Sequence, residues 1–154
     1  MNRGLTGAGV MLYENIRAGN RVGIAILLFA GIRRGNVSWE ELGGSIDPGE
    51  TPPIAAAREA TEESCNLFRP SAALLKSCPS VTYNGTYKCF QLQMMPPPGG
   101  INTAFYEHNR ALIASHPAAD KHFLETHGVT HVFVEDLLSA LHSGPVRALS
   151  VADV

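Results

Sequence analysis

Gly44 to Asn66 reads GSIDPGETPPIAAAREATEESCN, and the spacing of its glycine, glutamates and arginine decides how the rest of the chain is read. Gly44 is followed after five residues by Glu50, after seven more by Arg58-Glu59, and after two more by Glu62-Glu63. Six specified positions meet at such a spacing about once in ten million starts if each residue type fills roughly 7% of positions. The arrangement is therefore a motif and not a coincidence.

Elementary physics gives the motif a shape. Thr51 stands where a helix cap belongs, and Pro52 and Pro53 follow at positions where a missing amide proton costs nothing and a fixed φ favours helix entry. The stretch IAAAREATEES that comes next is rich in strong helix formers. At about 100° per residue, Glu59, Glu62 and Glu63 fall on one stripe, and Ile54, Ala57, Thr61 and Cys65 on the opposite one, which is expected to pack. Ala55 and Ala56 flank the acidic stripe and are small enough to let a phosphate approach. Carboxylates at i, i+3 and i+4 repel one another, with no lysine between them. A solvated acidic helix face is the plain reading; a hard divalent cation, Mg²⁺ or Mn²⁺, would relieve the repulsion and bridge phosphate oxygens.

This spacing resembles the Nudix box. The resemblance implies an α/β/α sandwich with a mixed β-sheet, formed by one Nudix hydrolase domain over residues 1–154. It implies a metal-dependent pyrophosphohydrolase with Mg²⁺ as cofactor and Mn²⁺ as a substitute. Carried over residue by residue, the metal ligands are the Gly44 carbonyl, Glu59, Glu62 and Glu63, and Glu50 with Arg58 is a structural pair bracing the loop against the helix. A surface salt bridge is the competing account of that pair. An arginine at the end of the strand before the box often touches phosphate in such proteins, which makes Arg33 or Arg34 the candidate. The proton acceptor is either a box glutamate or an outer one. LETHGVTHVFVEDLL resembles the stretch in which many such proteins place an outer glutamate, which makes Glu125 the first candidate, as base or additional ligand, and Glu107 the second.

At its end the match departs from the pattern. Where a Nudix box has a glycine in the left-handed region, this chain has Cys65, followed by Asn66 and Leu67. Cysteine is poor at that conformation, and asparagine tolerates it. The helix is thus expected to run one residue further, with Asn66 as terminator.

The remaining features set bounds. With 154 residues, 45% apolar and 17% charged, the chain is long enough for one domain with a sizeable core. A formal charge of -2 gives no electrostatic footprint for long nucleic acid. Cys65, Cys78 and Cys89 lack CxxC spacing, so neither a disulfide framework nor a zinc site is indicated, and a reducing, cytoplasmic setting fits. MNRGLTGAGV does not read as a signal peptide, and VGIAILLFAGI, Val22 to Ile32, is too short to span a bilayer and reads as a strand buried on both faces.

Further elements are expected as strands at Gly9 to Tyr13, Gly23 to Ile32, Val37 to Glu41 and His131 to Val134, and as helices at Phe105 to Ser115 and Glu135 to His142. Val81 to Met94 reads as a hairpin turning at Asn84-Gly85, ended by Pro96 to Gly100. The long segment Gly99 to Gly128 either shapes substrate choice or is a surface insertion. His127 and His131 stand four apart at the entry to a strand, where that interval makes no zinc pair. Trp39, Tyr83, Tyr87 and Phe105 could stack on a base.

The substrate class implied is a nucleoside diphosphate derivative: a nucleoside triphosphate, a nucleotide sugar, ADP-ribose or a dinucleoside polyphosphate. The alternatives are a Nudix-fold nucleotide-binding module without turnover and an RNA 5′-end or cap hydrolase. No long nucleic acid or membrane partner is expected. A homodimer is compatible with the resemblance, although no exposed apolar helix face singles it out.

Overall fold

The computed structural model describes residues 4–94 and 104–143; the Pro96 to Gly100 run and the start of the Gly99 to Gly128 segment lie outside the described residues. Among the described residues seven strands form one mixed sheet. They are β1 (Gly7–Ala18), β2 (Arg21–Arg33), β3 (Asn36–Glu40), β4 (Leu42–Ser45), β5 (Ser80–Tyr83), β6 (Tyr87–Gln93) and β7 (Gly128–Phe133). The order is β3-β2-β1-β6-β5, with β4 paired to β1 and β7 to β2. Among the described strands β1 and β6 run parallel and the other pairs are antiparallel. The helices described are α1 (Pro52–Glu63), α2 (Ala72–Lys76), α3 (Ala104–Ser115) and α4 (Val134–Ser143), with a 3-10 turn at Lys121–Leu124. The α/β, mixed-sheet expectation is met.

Local signals explain several boundaries. Asn84 and Gly85 both have positive φ, 52° and 69°, as a tight primed hairpin turn requires, and the Thr86 amide donates to the Tyr83 carbonyl at 3.0 Å. Helix α1 starts at Pro52 with Thr51 at the cap position, but the Thr51 side chain makes no capping bond; with two prolines at the start, fewer amide protons need a partner. β2 is buried on both faces only in its middle, at Ala25, Ile26, Leu27, Phe29 and Ala30, while Val22, Ile24 and Ile32 are exposed. β4, α2 and the 3-10 turn have no counterpart in the sequence reading, since each is held by packing or neighbouring strands and is too short to show a period.

The packed face of α1 differs from the expected one. Ala55, Ala56 and Ala60 are fully buried against Val10, Leu12, Phe29 and Leu42, whereas Ile54 is 45% exposed. The alanines therefore seat the helix on the sheet and do not border an open phosphate path. Small side chains permit this close approach, and it draws Glu59, at 8% exposure, to the rim of the core. The end of α1 also differs. The last helical residue is Glu63, and both Cys65 (φ 54°) and Asn66 (φ 66°) are left-handed. Cys65 is held there by its surroundings: it is fully buried, its thiol donates to the Phe123 carbonyl at 3.1 Å, and its carbonyl accepts from the Asn109 side chain at 3.1 Å.

A buried ionisable pair crosses the sheet. Glu14 on β1 and His131 on β7 meet across β2 at 2.7 Å, with side-chain exposures of 2% and 5%. The second Glu14 oxygen has no partner among the described residues.

Candidate metal centre and substrate cleft

Arg58 organises the acidic turn of α1. Its Nε and Nη2 donate to the two oxygens of Glu50, each at 2.9 Å, and Nη2 also donates to the Ser45 carbonyl at 3.0 Å. Its Nη1 donates to Glu59 at 2.9 Å and to Glu62 at 3.2 Å. Glu50 accepts the Asp47 amide at 2.9 Å as well, so a single guanidinium ties the box loop, β4 and the helix together. A fork this heavily engaged and only partly exposed is worth more than a surface pair. Arg58 holds the Glu50 carboxyl below its ordinary range.

The three helix glutamates behave differently from Glu50. Burial pushes the Glu59 and Glu62 carboxyls above the usual range in spite of Arg58, and it pushes Glu63 up to about 8, helped by Glu59, Glu125 and Glu40 and opposed by the Gly43 amide. Glu63 accepts that amide at 2.8 Å. Negative charge is thus poorly solvated on this turn, which is the electrostatic condition that a cation relieves.

Backbone shape adds a second feature. A Cβ on Gly44 would lie 2.5 Å from one Glu59 oxygen and 2.9 Å from the other, so the carboxylate rests directly on the glycine. A Cβ on Gly43 would lie 2.9 Å from the Gly9 Cα and overlap the Tyr87 hydroxyl. At both glycines the constraint is close approach and not φ, set by backbone atoms at Gly43 and by a movable side chain at Gly44.

The donor set, carboxylate oxygens beside a backbone turn, has the hard-ligand chemistry of Mg²⁺ and Mn²⁺. Among the described residues no three His, Cys, Asp or Glu side chains converge as a ligand group. Glu59 and Glu62 turn toward Arg58, and Glu63 toward the Gly43 amide. Each of those bonds uses one oxygen of its carboxylate, so the second oxygen of each glutamate is left for a cation.

Two clefts border the turn. One of about 350 Å³ is lined by Arg33, Glu40, Glu63, Glu125 and His127, among others. Another of about 440 Å³ is lined by Arg33, Glu40, Glu41, Gly43, Gly44, Tyr83 and Tyr87. Glu125 thus borders the same space as Glu63, although it lies more than sixty residues away in the chain, and its carboxylate contacts His122 at 3.2 Å. Glu107 is exposed in the first turn of α3 and lines neither cleft. Arg33 lines both, but its fork is committed to Glu40 at 2.6 and 2.9 Å. Arg34 occupies the β2–β3 turn with φ 52° and lines neither. His127, Glu40 and Glu41 were not candidates from the sequence. The nearness of His127 to Glu125 in the chain was the one available signal.

A mixed sheet carrying a glycine-edged strand, a box loop clamped by Glu50 and Arg58, and an acidic box helix is the arrangement that the resemblance to the Nudix box implies. By sequence, no family model and no curated protein matches the chain. By structure, the chain is similar to the T. brucei MERS1 protein in its apo form, with 12% identity, 92% of this chain and 62% of that chain covered and a TM-score of 0.52. It is similar also to a C. elegans Ap4A hydrolase solved as a binary complex, with 25% identity, 59% and 67% covered and a TM-score of 0.42. A third similar structure is a mutT/nudix family protein from Listeria innocua, with 15% identity, 90% and 83% covered and a TM-score of 0.45. At 12% identity the likeness to the MERS1 protein is one of fold.

Proposed function

We propose that this chain works as a single Nudix domain that hydrolyses the diphosphate linkage of a nucleoside diphosphate derivative with the help of Mg²⁺, or Mn²⁺ in its place. The observation that carries the reading is the poorly solvated acidic turn of α1, in which Glu59 rests on Gly44 and Glu63 lines the polar cleft beside it. In this reading those carboxylates and the Gly44 carbonyl would hold the cation, which when bound neutralises charge on the diphosphate and acidifies the attacking water.

The chain's own residues do the rest. Glu50 and Arg58 keep the box loop in register with the helix, so the ligands arrive in one geometry. Glu125, which borders the cleft from the 3-10 turn, is the proposed proton acceptor, with Glu63 as the alternative in the same space. Arg33 and Arg34 remain the candidates for substrate charge, Arg33 being the one on the cleft wall. The substrate is a nucleoside triphosphate, nucleotide sugar, ADP-ribose or dinucleoside polyphosphate. No helix among the described residues is long and apolar enough to cross a membrane, and a cytoplasmic setting belongs to the same proposal.

A second reading, a nucleotide-binding module without turnover, is favoured by the engagement of Glu59 and Glu62 with Arg58. One experiment separates the two. A panel of these compounds is assayed for release of phosphate or nucleoside monophosphate with Mg²⁺ and with Mn²⁺, for the wild type and for Glu62→Gln and Glu63→Gln. The hydrolase reading expects turnover of at least one compound and a loss of about a hundredfold or more in each variant, since positioned metals contribute several kcal/mol to the transition state. An inert panel in which one compound still raises the melting temperature supports the binding module.

A further inference from the structure

We propose that His127 is a substrate-contacting donor of this cleft, presenting its Nε2–H to a phosphate oxygen of the diphosphate; this rests on the function proposed above. The smaller cleft has three carboxylates on its wall, Glu40, Glu63 and Glu125, and a diphosphate is itself anionic, so donors opposite the carboxylates decide whether it can enter. Two lining residues carry nitrogen donors, Arg33 and His127. Arg33 has Nε and Nη2 committed to Glu40 at 2.6 and 2.9 Å, and its charge is offset there. Among the described residues His127 has no carboxylate partner.

The imidazole is oriented by its neighbours. The His127 amide donates to the Ala30 carbonyl at 2.8 Å, fixing the backbone at the mouth of the β2–β7 pairing. Ring Nδ1 lies 3.4 Å from Nη2 of Arg110. A guanidinium offers only hydrogens, so that contact makes Nδ1 the acceptor and leaves the proton on Nε2. Arg110 is itself anchored, donating to the Thr126 carbonyl at 2.7 Å and the Leu124 carbonyl at 3.2 Å. The Thr126 hydroxyl donates to the Glu63 carbonyl at 2.6 Å, so the same short segment is tied to the end of the box helix. The donor and the acidic turn are thus held in one frame.

The test combines a binding signal with kinetics. In ¹⁵N-labelled protein the His127 ring nitrogens are followed while ADP is added in the presence of Mg²⁺, with Mg²⁺ alone as control. The proposal expects the Nε2 resonance to shift with ADP and to stay still with Mg²⁺ alone. His127→Phe is expected to weaken ADP binding, and to lower kcat/KM on a panel substrate, by about ten- to a hundredfold, the range for a hydrogen bond to a charged group. Melting temperature and Mn²⁺ uptake should be unchanged, and His127→Gln, which keeps an N–H donor, should recover most of the loss. An ADP affinity in His127→Phe equal to wild type, or an Nε2 signal indifferent to ADP, overturns the proposal. The binding arm needs no turnover: an inert protein whose Nε2 still responds to ADP supports the contact while retiring hydrolysis. An active protein whose signal stays still does the reverse.

Discussion

Replacing Gly44 by alanine puts a methyl group where the Glu59 carboxylate now rests. The added Cβ would lie 2.5 Å from the nearer oxygen, against 3.4 Å for ordinary contact, so the carboxylate must withdraw by about 0.9 Å (3.4 − 2.5). The obstacle is the far end of a flexible side chain, and the fold can absorb it. Glu59 gives up its 2.9 Å bond to Arg58, at about 1 kcal/mol, while alanine in place of glycine in a strand returns about 0.5–1 kcal/mol. Net stability should therefore change by less than about 1 kcal/mol, a melting shift of roughly 2–4 °C at most for a chain of this size. The chemistry has no such compensation. A misplacement of this order costs about a hundredfold in rate, and metal uptake should weaken with it. Gly43→Ala is the contrasting control: its methyl would press on the Gly9 Cα at 2.9 Å and the Ala8 carbonyl at 3.0 Å, both backbone atoms, so the β1–β4 pairing must part. It should lose at least about 1–3 kcal/mol of stability. Thermal melts, Mn²⁺ calorimetry and kcat/KM on both variants read the difference. Gly44→Ala with wild-type manganese affinity and turnover refutes the reasoning, because Glu59 would then have no part in the centre.

Other perturbations follow from the same geometry. Arg58→Ala strands Glu50, Glu59 and Glu62 together and should cost about 2–4 kcal/mol in urea denaturation at pH 7; a loss below 1 kcal/mol would make the fork a surface pair. Arg33 and Ser38 hold the Glu40 carboxyl below its ordinary range, so its contribution is present above about pH 4.3 and is lost as pH falls through the depressed folded value. The stability gap between wild type and Arg33→Gln should close over that interval and stay constant between pH 6 and 8. Cys65→Gly removes about 1–2 kcal/mol of left-handed strain and a buried thiol of similar worth, so its melting temperature should stay near wild type. Cys65→Val, with a branched side chain at φ 54°, should lose more than about 2 kcal/mol. Glu14→Leu and His131→Leu should each cost about 3–5 kcal/mol by leaving one buried polar partner behind, and the double variant less than the sum; additive losses would show that the 2.7 Å contact carries no coupling.

The neighbourhood of the acidic turn was legible in unequal parts. Glu59, Glu62 and Glu63 on one helix, and the Asn84-Gly85 turn, are short-range statements, and short-range chemistry governs them: helical spacing, proline at the start, positive φ at a tight turn. The packed face of that same helix was misread, because Ile54 suggests burial by its type while Ala55, Ala56 and Ala60 are buried by their size. Close seating on a sheet selects small side chains, and a periodicity weighted by hydrophobicity passes over them. Cys65 was misjudged for a related reason. Its intrinsic dislike of the left-handed region is overridden by the buried contacts to Phe123 and Asn109, which come from distant segments.

The sequence by itself determined the acidic helix, the glycine-edged loop before it and the hairpin, since each depends on residues close to one another in the chain, and the succession of such elements pointed to the α/β class. Tertiary structure alone decided that Arg33, Glu63, Glu125 and His127 share one cleft, and that Arg33 spends its fork on Glu40. The antiparallel pairing of β2 with β7, Ala30 opposite Gly128, brings the end of one strand to the start of another nearly a hundred residues later. Such a register is fixed by the burial of whole strand faces, a collective energy that no local stretch of the chain expresses.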